Sequence, residues 1–170
     1  QAIQATQSSD KHLEITFVEP VAAGTRTQVT ITYDVTPKRG LYFRTAEMGY
    51  PAGDTQLWTQ GEPEDHQHWF PSHDYPNEKF TTEVICHVPE GMEALSNGRL
   101  LSHKKNEETG LVAFHWLQDK AHVNYLVTLL AGYFAKMEDQ HGDLPVALYV
   151  PPSEKDQLAN TFQDTIRILD

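Results

Sequence analysis

The sequence has 170 residues, a formal net charge of −11, a hydrophobic fraction of 39% and a single cysteine. A chain of this length is long enough for one domain, in which about 70% of the unfolded surface is buried. The negative charge argues against nucleic acid and anionic membranes as partners, because both are bound through basic side chains. One cysteine excludes an internal disulfide, and no run of residues approaches the ~20 apolar positions of a membrane helix.

Apolar and polar residues alternate with a period of two through most of the chain, which predicts strands. Residues 13–18 and 28–35 each place apolar side chains on one face, and the turn between them predicts a hairpin. Further strands are predicted at 41–44, 56–59 and 80–88.

The second half continues this pattern. Asn97 and Gly98 are a strong tight-turn signal at the centre of 92–101, and 104–110 predicts a second turn. Residues 122–134 are apolar on both faces, which predicts a central strand covered on both sides. The other predicted strands are 111–117 and 145–150.

The last segment changes to helical spacing. Ser153 follows two prolines as a good N-cap, and the apolar positions that then recur at helical spacing are Leu158, Phe162, Ile166 and Leu169. The predicted fold is therefore mainly β: an antiparallel, two-sheet, saddle-like or sandwich-like domain over 1–150, with one C-terminal helix over 151–170. The apolar face of that helix must pack on this sheet or on a domain outside the chain.

Residues 58–76, WTQGEPEDHQHWFPSHDYP, hold the densest group of chemically active side chains. One hypothesis is a zinc site built from His66, His68 and His73 with Asp65 and Asp74. On a strand, His66 and His68 would point the same way. The spacing assigns no third or fourth ligand, however, and histidines that are exposed or hydrogen-bonded are the favoured interpretation.

Other chemistry has weaker support. A general acid and base could come from the carboxylates of Glu62, Glu64, Asp65 and Asp74, although acidic loops are usually solvated. Cys86 lies on the apolar face of a predicted strand and is interpreted as an inert core residue. No nucleophile elbow surrounds Ser72 or Ser96. The aromatic residues that could stack on a sugar are Trp58, Trp69, Tyr75 and Trp116, with a core role the alternative for the first and last.

Five stretches in order resemble one known family. They are GLYFR (40–44), TQGEPED (59–65), FPSHDYP (70–76), KFTTEVICHVPEGMEALSNG (79–98) and YLVTLLAGYF (125–134). Together they resemble the N-terminal β domain of zinc aminopeptidases of the aminopeptidase N type, which includes the leukotriene hydrolase branch. The chain departs from that family at Gln67, where Arg is usual, which leaves open how the loop is braced.

The resemblance implies a saddle-like β domain that covers the active site of a thermolysin-like catalytic domain. The zinc motif H-E-x-x-H of that second domain is absent from the sequence. The resemblance therefore implies a fragment that lacks the first strands of its β domain, with no metal site and no catalytic residue of its own. Zinc would be bound by the absent catalytic domain of the parent enzyme.

Two residues match the family's substrate-binding positions. The resemblance implies that Glu62 anchors the free α-amine of a peptide and that Gln60 contacts the first substrate residue. Three functions stay open: the substrate-binding domain of an aminopeptidase, a non-catalytic scaffold of the same architecture, and a β-sandwich that binds protein or sugar. We expect a soluble protein, and the sequence does not settle whether its compartment is the cytoplasm or the periplasm. The sequence does not determine the side-chain specificity, the oligomeric state or the roles of the three histidines of 58–76.

Overall fold

The computed structural model describes residues 3–9 and 12–169. Its strands are β1 (Ile3–Ser8), β2 (Leu13–Phe17), β3 (Leu41–Arg44), β4 (Gln56–Thr59), β5 (Lys79–Pro89), β6 (Glu93–Ser96), β7 (Arg99–Lys105), β8 (Leu111–Val123), β9 (Leu129–Gly132), β10 (Ala135–His141) and β11 (Leu144–Val150). Short 3-10 turns lie at Ala46–Met48, Ala52–Asp54, His66–His68, Asn124–Leu126 and Pro152–Gln157, and the α-helices are α1 (Leu158–Thr161) and α2 (Thr165–Leu169). The chain divides into two compact units, Gln1–Thr36 and Pro37–Asp170.

The first unit contains an antiparallel ribbon in which β1 pairs with β2. The predicted hairpin between 13–18 and 28–35 is wrong, because 28–35 forms no strand. The side chains expected on its inner face are exposed: Val29 at 38%, Ile31 at 39%, Tyr33 at 46% and Val35 at 50%. Alternating residues suit a sheet, but a strand also needs a neighbour that satisfies its backbone N–H and C=O groups. No strand of the described residues takes that place.

The second unit contains two larger antiparallel sheets. One has four strands in the order β3-β4-β9-β6, the other has three in the order β5-β8-β7, and β10 pairs with β11 in a separate ribbon. The predicted mainly β, antiparallel fold is confirmed. Close pairing of β4 with β9 depends on Gly132, because a Cβ there would lie 2.5 Å from the Cβ of Gln56.

The hydrophobic core joins the two larger sheets. Its buried residues are Val88 from β5, Ala94 from β6, Val112 and Phe114 from β8, and Ala131 from β9. Leu57, Cys86 and Trp116 pack against this cluster, and the indole N–H of Trp116 donates to the carbonyl of Ala94 at 2.9 Å. The predicted core roles of Cys86 and Trp116 are confirmed. Because Leu57 belongs to β4, the core also fixes the strand that leads into 58–76.

The turn predicted at Asn97 and Gly98 is present, whereas the strand predicted over 122–134 is divided. Asn97 and Gly98 do form a turn, but it carries the chain from β6 in the four-stranded sheet to β7 in the three-stranded sheet. The prediction of one central strand over 122–134 is wrong. That run contains the end of β8, which pairs there only with β5, the 3-10 turn Asn124–Leu126, and β9, which lies between β4 and β6. The break occurs at Asn124, whose buried side chain bonds to other polar groups away from its own strand.

The C-terminal segment is helical, as predicted, but it is divided into the 3-10 turn Pro152–Gln157, α1 and α2. Ser153 does not act as the predicted N-cap. Its backbone N–H and its hydroxyl both donate to the carboxylate of Asp54, at 3.0 and 2.5 Å. Leu158 is 4% exposed, Phe162 and Ile166 are partly buried, and Leu169 is 45% exposed, so only the start of the predicted apolar face is fully buried. Among the described residues, every helix is too short or too polar to cross a bilayer.

Candidate functional site

The loop at residues 60–76 begins where β4 ends in the four-stranded sheet. The backbone N–H of Gln60 donates to the carbonyl of Gly40 at 3.0 Å, which joins the start of the loop to the turn before β3. Five residues on, the N–H of Asp65 donates to the carbonyl of Gly61 at 2.9 Å. The chain therefore folds back at once, and residues 61–65 form a tight turn at the edge of the sheet.

Gly40 allows this turn to pack closely. Its φ of +78° lies in the left-handed region that glycine adopts readily. A Cβ at this position would lie 2.1 Å from the carbonyl oxygen of Asp65. The turn before β3 and the 60–76 loop therefore touch backbone to backbone, at a distance that no other residue type permits.

His66 lies at the centre of the loop and is 0% exposed. The indole N–H of Trp69 donates to its Nδ1 at 2.8 Å, so Nδ1 carries no proton and the neutral ring carries its hydrogen on Nε2. Nε2 has no hydrogen-bond partner in the described part of the chain. A Cβ added to Gly61 would lie 2.2 Å from the same nitrogen. The imidazole therefore occupies the space beside Gly61.

The surroundings of His66 favour its neutral form. Burial lowers the pKa of His66 below its ordinary value of 6.5, and this is the largest influence. The carbonyls of Val127 and Tyr125 and the carboxylates of Asp74 and Asp65 act in the opposite direction. The ring is consequently an uncharged packing element at neutral pH.

Asp74 braces the far end of the loop. Its Oδ2 accepts from the backbone N–H of Gln67 at 2.8 Å, and its Oδ1 accepts from the side-chain amide of Asn124. The amide of Asn124 also lies 3.3 Å from the hydroxyl of Ser72. The Gln67 side chain donates to the carbonyl of Glu64 at 2.8 Å. These bonds hold the loop around Gln67.

The histidines of the loop have separate surroundings. His66 and His68 lie in a 3-10 turn, so the same-side pair that a strand would produce is absent; His66 is buried and His68 exposed. His73 contacts Asn77, with 3.0 Å between Nε2 and Oδ1. In the part of the chain that the structure describes, no three His, Cys, Asp or Glu side chains come together to hold a metal ion.

The other candidates of the loop also have structural partners. Asp65 is 8% exposed, and its Oδ1 lies 3.1 Å from Nη2 of Arg39. Trp69 packs edge-on against Phe70, with 4.5 Å between ring centroids. Outside the loop, Ser96 donates to the carbonyl of Thr128 at 2.7 Å. These contacts give the side chains a role in folding.

Gln60 and Glu62 differ from these residues. Both are exposed, and their side chains make no hydrogen bond or ion pair within the described residues. Glu64 shares this property. The predicted pair therefore flanks the buried Gly61 and offers a carboxylate and an amide oxygen to solvent. Such acceptors suit a ligand that carries several N–H donors.

Sequence reasoning missed three structural residues. Asn124 and Asp54 are each 1% exposed and bind segments 50 and 99 residues away in the chain. The hydrogen bond from Ser153 holds the pKa of Asp54 below its ordinary value, with Arg44 a weaker contributor. Gly61 is the third, because a side chain at this position would overlap the His66 ring. No local pattern in the sequence marks any of them.

Comparison with known proteins identifies the family. The model of the peptidase M1 N-terminal domain matches residues 2–126. The chain belongs to this family. The resemblance found in the sequence is thereby confirmed. Aminopeptidase M1 of Arabidopsis thaliana is 32% identical over 100 residues, which are 58% of this chain and 11% of that protein.

Two solved structures are also similar to this chain. Legionella pneumophila aminopeptidase A, in complex with aspartic acid, has a TM-score of 0.56 and 27% identity, over 70% of this chain and 14% of its own. A two-domain M1 zinc metallopeptidase bound to L-tryptophan has a TM-score of 0.62 over 86% of this chain and 34% of its own. At 16% identity, that second likeness shows the fold alone. The chain thus spans about a third or less of the length of each of these proteins.

Proposed function

We propose that this M1 N-terminal domain is the substrate-binding part of a zinc aminopeptidase, and that it holds the free α-amine of a peptide through Glu62 and Gln60. The observation that carries the proposal is the contrast within the 60–76 loop. Most of its polar side chains are bonded inside the chain, whereas Gln60 and Glu62 are exposed and unbonded at the end of β4. Membership of the M1 family gives this contrast its functional meaning.

The chemistry of the substrate suits these two groups. A peptide α-amine has a pKa of roughly 7.7–8.0, so it is mostly charged at neutral pH. Its three N–H donors match a carboxylate and an amide oxygen. The amino acid held by the Legionella aminopeptidase has an α-amine of the same kind. Glu62 would bind the ammonium directly, and Gln60 would contact the first substrate residue.

Anchoring the amine would determine which bond is cut. A fixed amine sets the distance from the chain terminus to the reacting groups, so that only the first peptide bond reaches them. The described residues of this chain do not fit a zinc ion, since they bring no three ligands together. We therefore assign zinc and the bond-breaking groups to a thermolysin-like part of the parent enzyme, and positioning of the substrate to this chain.

Replacing Glu62 in the full-length enzyme tests the proposal. A hydrogen bond to a charged group contributes about 1.5–3 kcal/mol, so Glu62→Ala is expected to lower kcat/KM by about 10–150-fold. Glu64→Ala is the matched control, because Glu64 is also exposed and unbonded and its loss changes the net charge equally. Wild-type kinetics for Glu62→Ala, or an equal loss in both variants, would contradict the proposed role.

The isolated chain provides a second test. We expect the 170-residue chain to hydrolyse no aminoacyl-p-nitroanilide, with or without added zinc, because its described residues hold no metal site. The full-length enzyme under the same conditions is the positive control. Turnover by the purified chain would show that it contains reactive groups that the proposal does not include. A full-length protein without activity would favour the scaffold instead.

A further inference from the structure

Gly61 packs directly on the ring of His66. A Cβ at position 61 would lie 2.2 Å from Nε2, 2.4 Å from Cε1 and 2.6 Å from Cδ2 of that ring. Gly61 is not among the glycines with positive φ. Its φ is therefore open to other residues, and the three heavy atoms nearest to an added Cβ all belong to the imidazole.

The imidazole cannot easily move away. It is 0% exposed, and its Nδ1 accepts the indole N–H of Trp69 at 2.8 Å. The rings of Trp69 and Phe70 lie 5.6 and 5.5 Å from it, centroid to centroid. Close-packed interiors transmit displacements because they hold little free volume. A change at the ring is therefore passed to Gly61.

Gly61 lies between Gln60 and Glu62 in the chain, and three contacts hold the backbone of residues 60 and 61. The N–H of Gln60 is bonded to Gly40, and the carbonyl of Gly61 is bonded to the N–H of Asp65. The ring of His66 is the third support. The directions of the Gln60 and Glu62 side chains follow from the backbone that these supports hold.

We propose that His66 is a positioning residue for the amine-binding pair: its neutral imidazole supports Gly61, and its protonation weakens substrate binding. The inference rests on the proposed function above. His66 itself touches no substrate in this scheme, because it is buried within the loop.

Protonation would break the arrangement at a defined atom. A second ring proton must go to Nδ1, where it would face the indole N–H of Trp69, donor against donor. The charged groups that face the ring are the carboxylates of Asp65 and Asp74, which favour the cation, while burial opposes it more strongly. Asp65 is paired with Arg39, and Asp74 with the backbone of Gln67, so neither carboxylate is available to receive the new N–H without rearrangement.

The first test is a pair of substitutions in the full-length enzyme. Gly61→Ala is expected to raise KM with little change in kcat, because the methyl group collides with the ring. Gly61→Ala combined with His66→Ala removes that collision, so its KM should lie below the product of the single effects by about 2–150-fold, the range of coupling for residues in contact. Gly53→Ala is the matched control, since Gly53 also lacks a positive φ and has open space around it.

The second test measures the pH dependence of kcat/KM. A merely structural role of the His66 side chain would leave this dependence unchanged. His66→Gln keeps a polar side chain that cannot take up a proton. The ratio of wild-type to variant kcat/KM should fall as the pH is lowered from about 7.5 to 5, since only the wild type can be protonated at this position below the ordinary histidine value. A ratio that stays constant would overturn the inference, and this comparison also decides the matter if Gly61→Ala does not fold.

The outcomes separate this inference from the proposed function. Wild-type kinetics for Glu62→Ala would overturn the proposed function and this inference with it. An impaired Glu62→Ala, together with additive effects at Gly61 and His66 and a constant pH ratio, would overturn the positioning role alone.

Discussion

Gly40→Ala is the substitution whose effect on folding is defined most clearly by the structure. Gly40 precedes β3, and its carbonyl accepts the N–H of Gln60 at 3.0 Å. A methyl group at Gly40 would lie 2.1 Å from the carbonyl oxygen of Asp65, whereas 3.4 Å or more is ordinary contact. That carbonyl must move by more than 1 Å, and Asp65 is itself held by Gly61 and Arg39.

The expected loss has two parts. Alanine in the left-handed region is about 1–2 kcal/mol less stable, and the stiffer unfolded chain returns about 0.4–1 kcal/mol of this, which leaves about 1 kcal/mol. Overpacking against fixed structure adds about 1–3 kcal/mol. Gly40→Ala should therefore lower the free energy of unfolding by about 2–4 kcal/mol.

Gly110→Ala measures the first part alone, so the difference between the two variants gives the second part. Gly110 lies in the same compact unit with a φ of +71°, close to the +78° of Gly40, but nothing lies within 4 Å of its Cβ position. It should lose only about 1 kcal/mol. Urea unfolding followed by tryptophan fluorescence measures both values on the same chain. Equal losses in the two variants would refute the reasoning, because they would mean that the backbone contact with Asp65 carries no energy.

Three further predictions concern buried polar and thiol groups. Asn124→Ala should lower the free energy of unfolding by about 1.5–3 kcal/mol in urea titrations, because the charged Asp74 loses a buried donor; a loss below about 0.5 kcal/mol would contradict this. Asp54 has a folded pKa below its ordinary value of 3.8, so the part of the stability that depends on Asp54 should be constant above about pH 5 and fall as the pH drops below 4. Ser153→Ala should weaken that pH dependence, and an unchanged acid profile would argue against the bond. Burial raises the pKa of the Cys86 thiol, so Ellman's reagent at pH 8 should react about tenfold or more slowly with the folded chain than with the chain in urea.

Three strands of the two larger sheets were predicted correctly from the sequence. The bounds predicted for 41–44 and 56–59 agree with β3 and β4, and 80–88 lies within β5. In 80–88 apolar and polar residues alternate, so local pattern and tertiary pairing agree there. Gln60 and Glu62, the side chains that the family resemblance suggests, are exposed and unbonded at the end of β4, and their role stays a prediction.

The errors in predicting strands share a physical cause. The sequence of a segment does not show which other segment will pair with it. Residues 28–35 alternate as well as any strand of the chain, yet they form none. β10 runs over Ala135–His141 with mostly polar residues, and it is a strand because β11 pairs with it along its whole length. Pairing, which sequence alternation does not specify, decided both cases.

The C-terminal helix shows the same limit for a single side chain. Ser153 after two prolines is a good N-cap by sequence, and in isolation that would start a regular helix. In the fold, the carboxylate of Asp54, 99 residues away in the chain, accepts hydrogen bonds from both the hydroxyl and the backbone N–H of Ser153. A carboxylate acceptor outcompetes a local cap because hydrogen bonds to charged groups are roughly twice as strong.

The same competition explains why the composition of the 60–76 loop is a poor guide to its function. Three histidines and four carboxylates in 58–76 suggest a metal site. In the fold, distant groups such as Arg39 and Asn124 occupy the carboxylates of Asp65 and Asp74, and burial keeps His66 neutral. A ligand can bind only where acceptors remain unoccupied, which leaves the three exposed side chains before Asp65. Which of these binds an amine then depends on the backbone that presents it. Under the proposal made above, the packing of the His66 ring against Gly61, and not the number of histidines, determines how the loop presents Gln60 and Glu62.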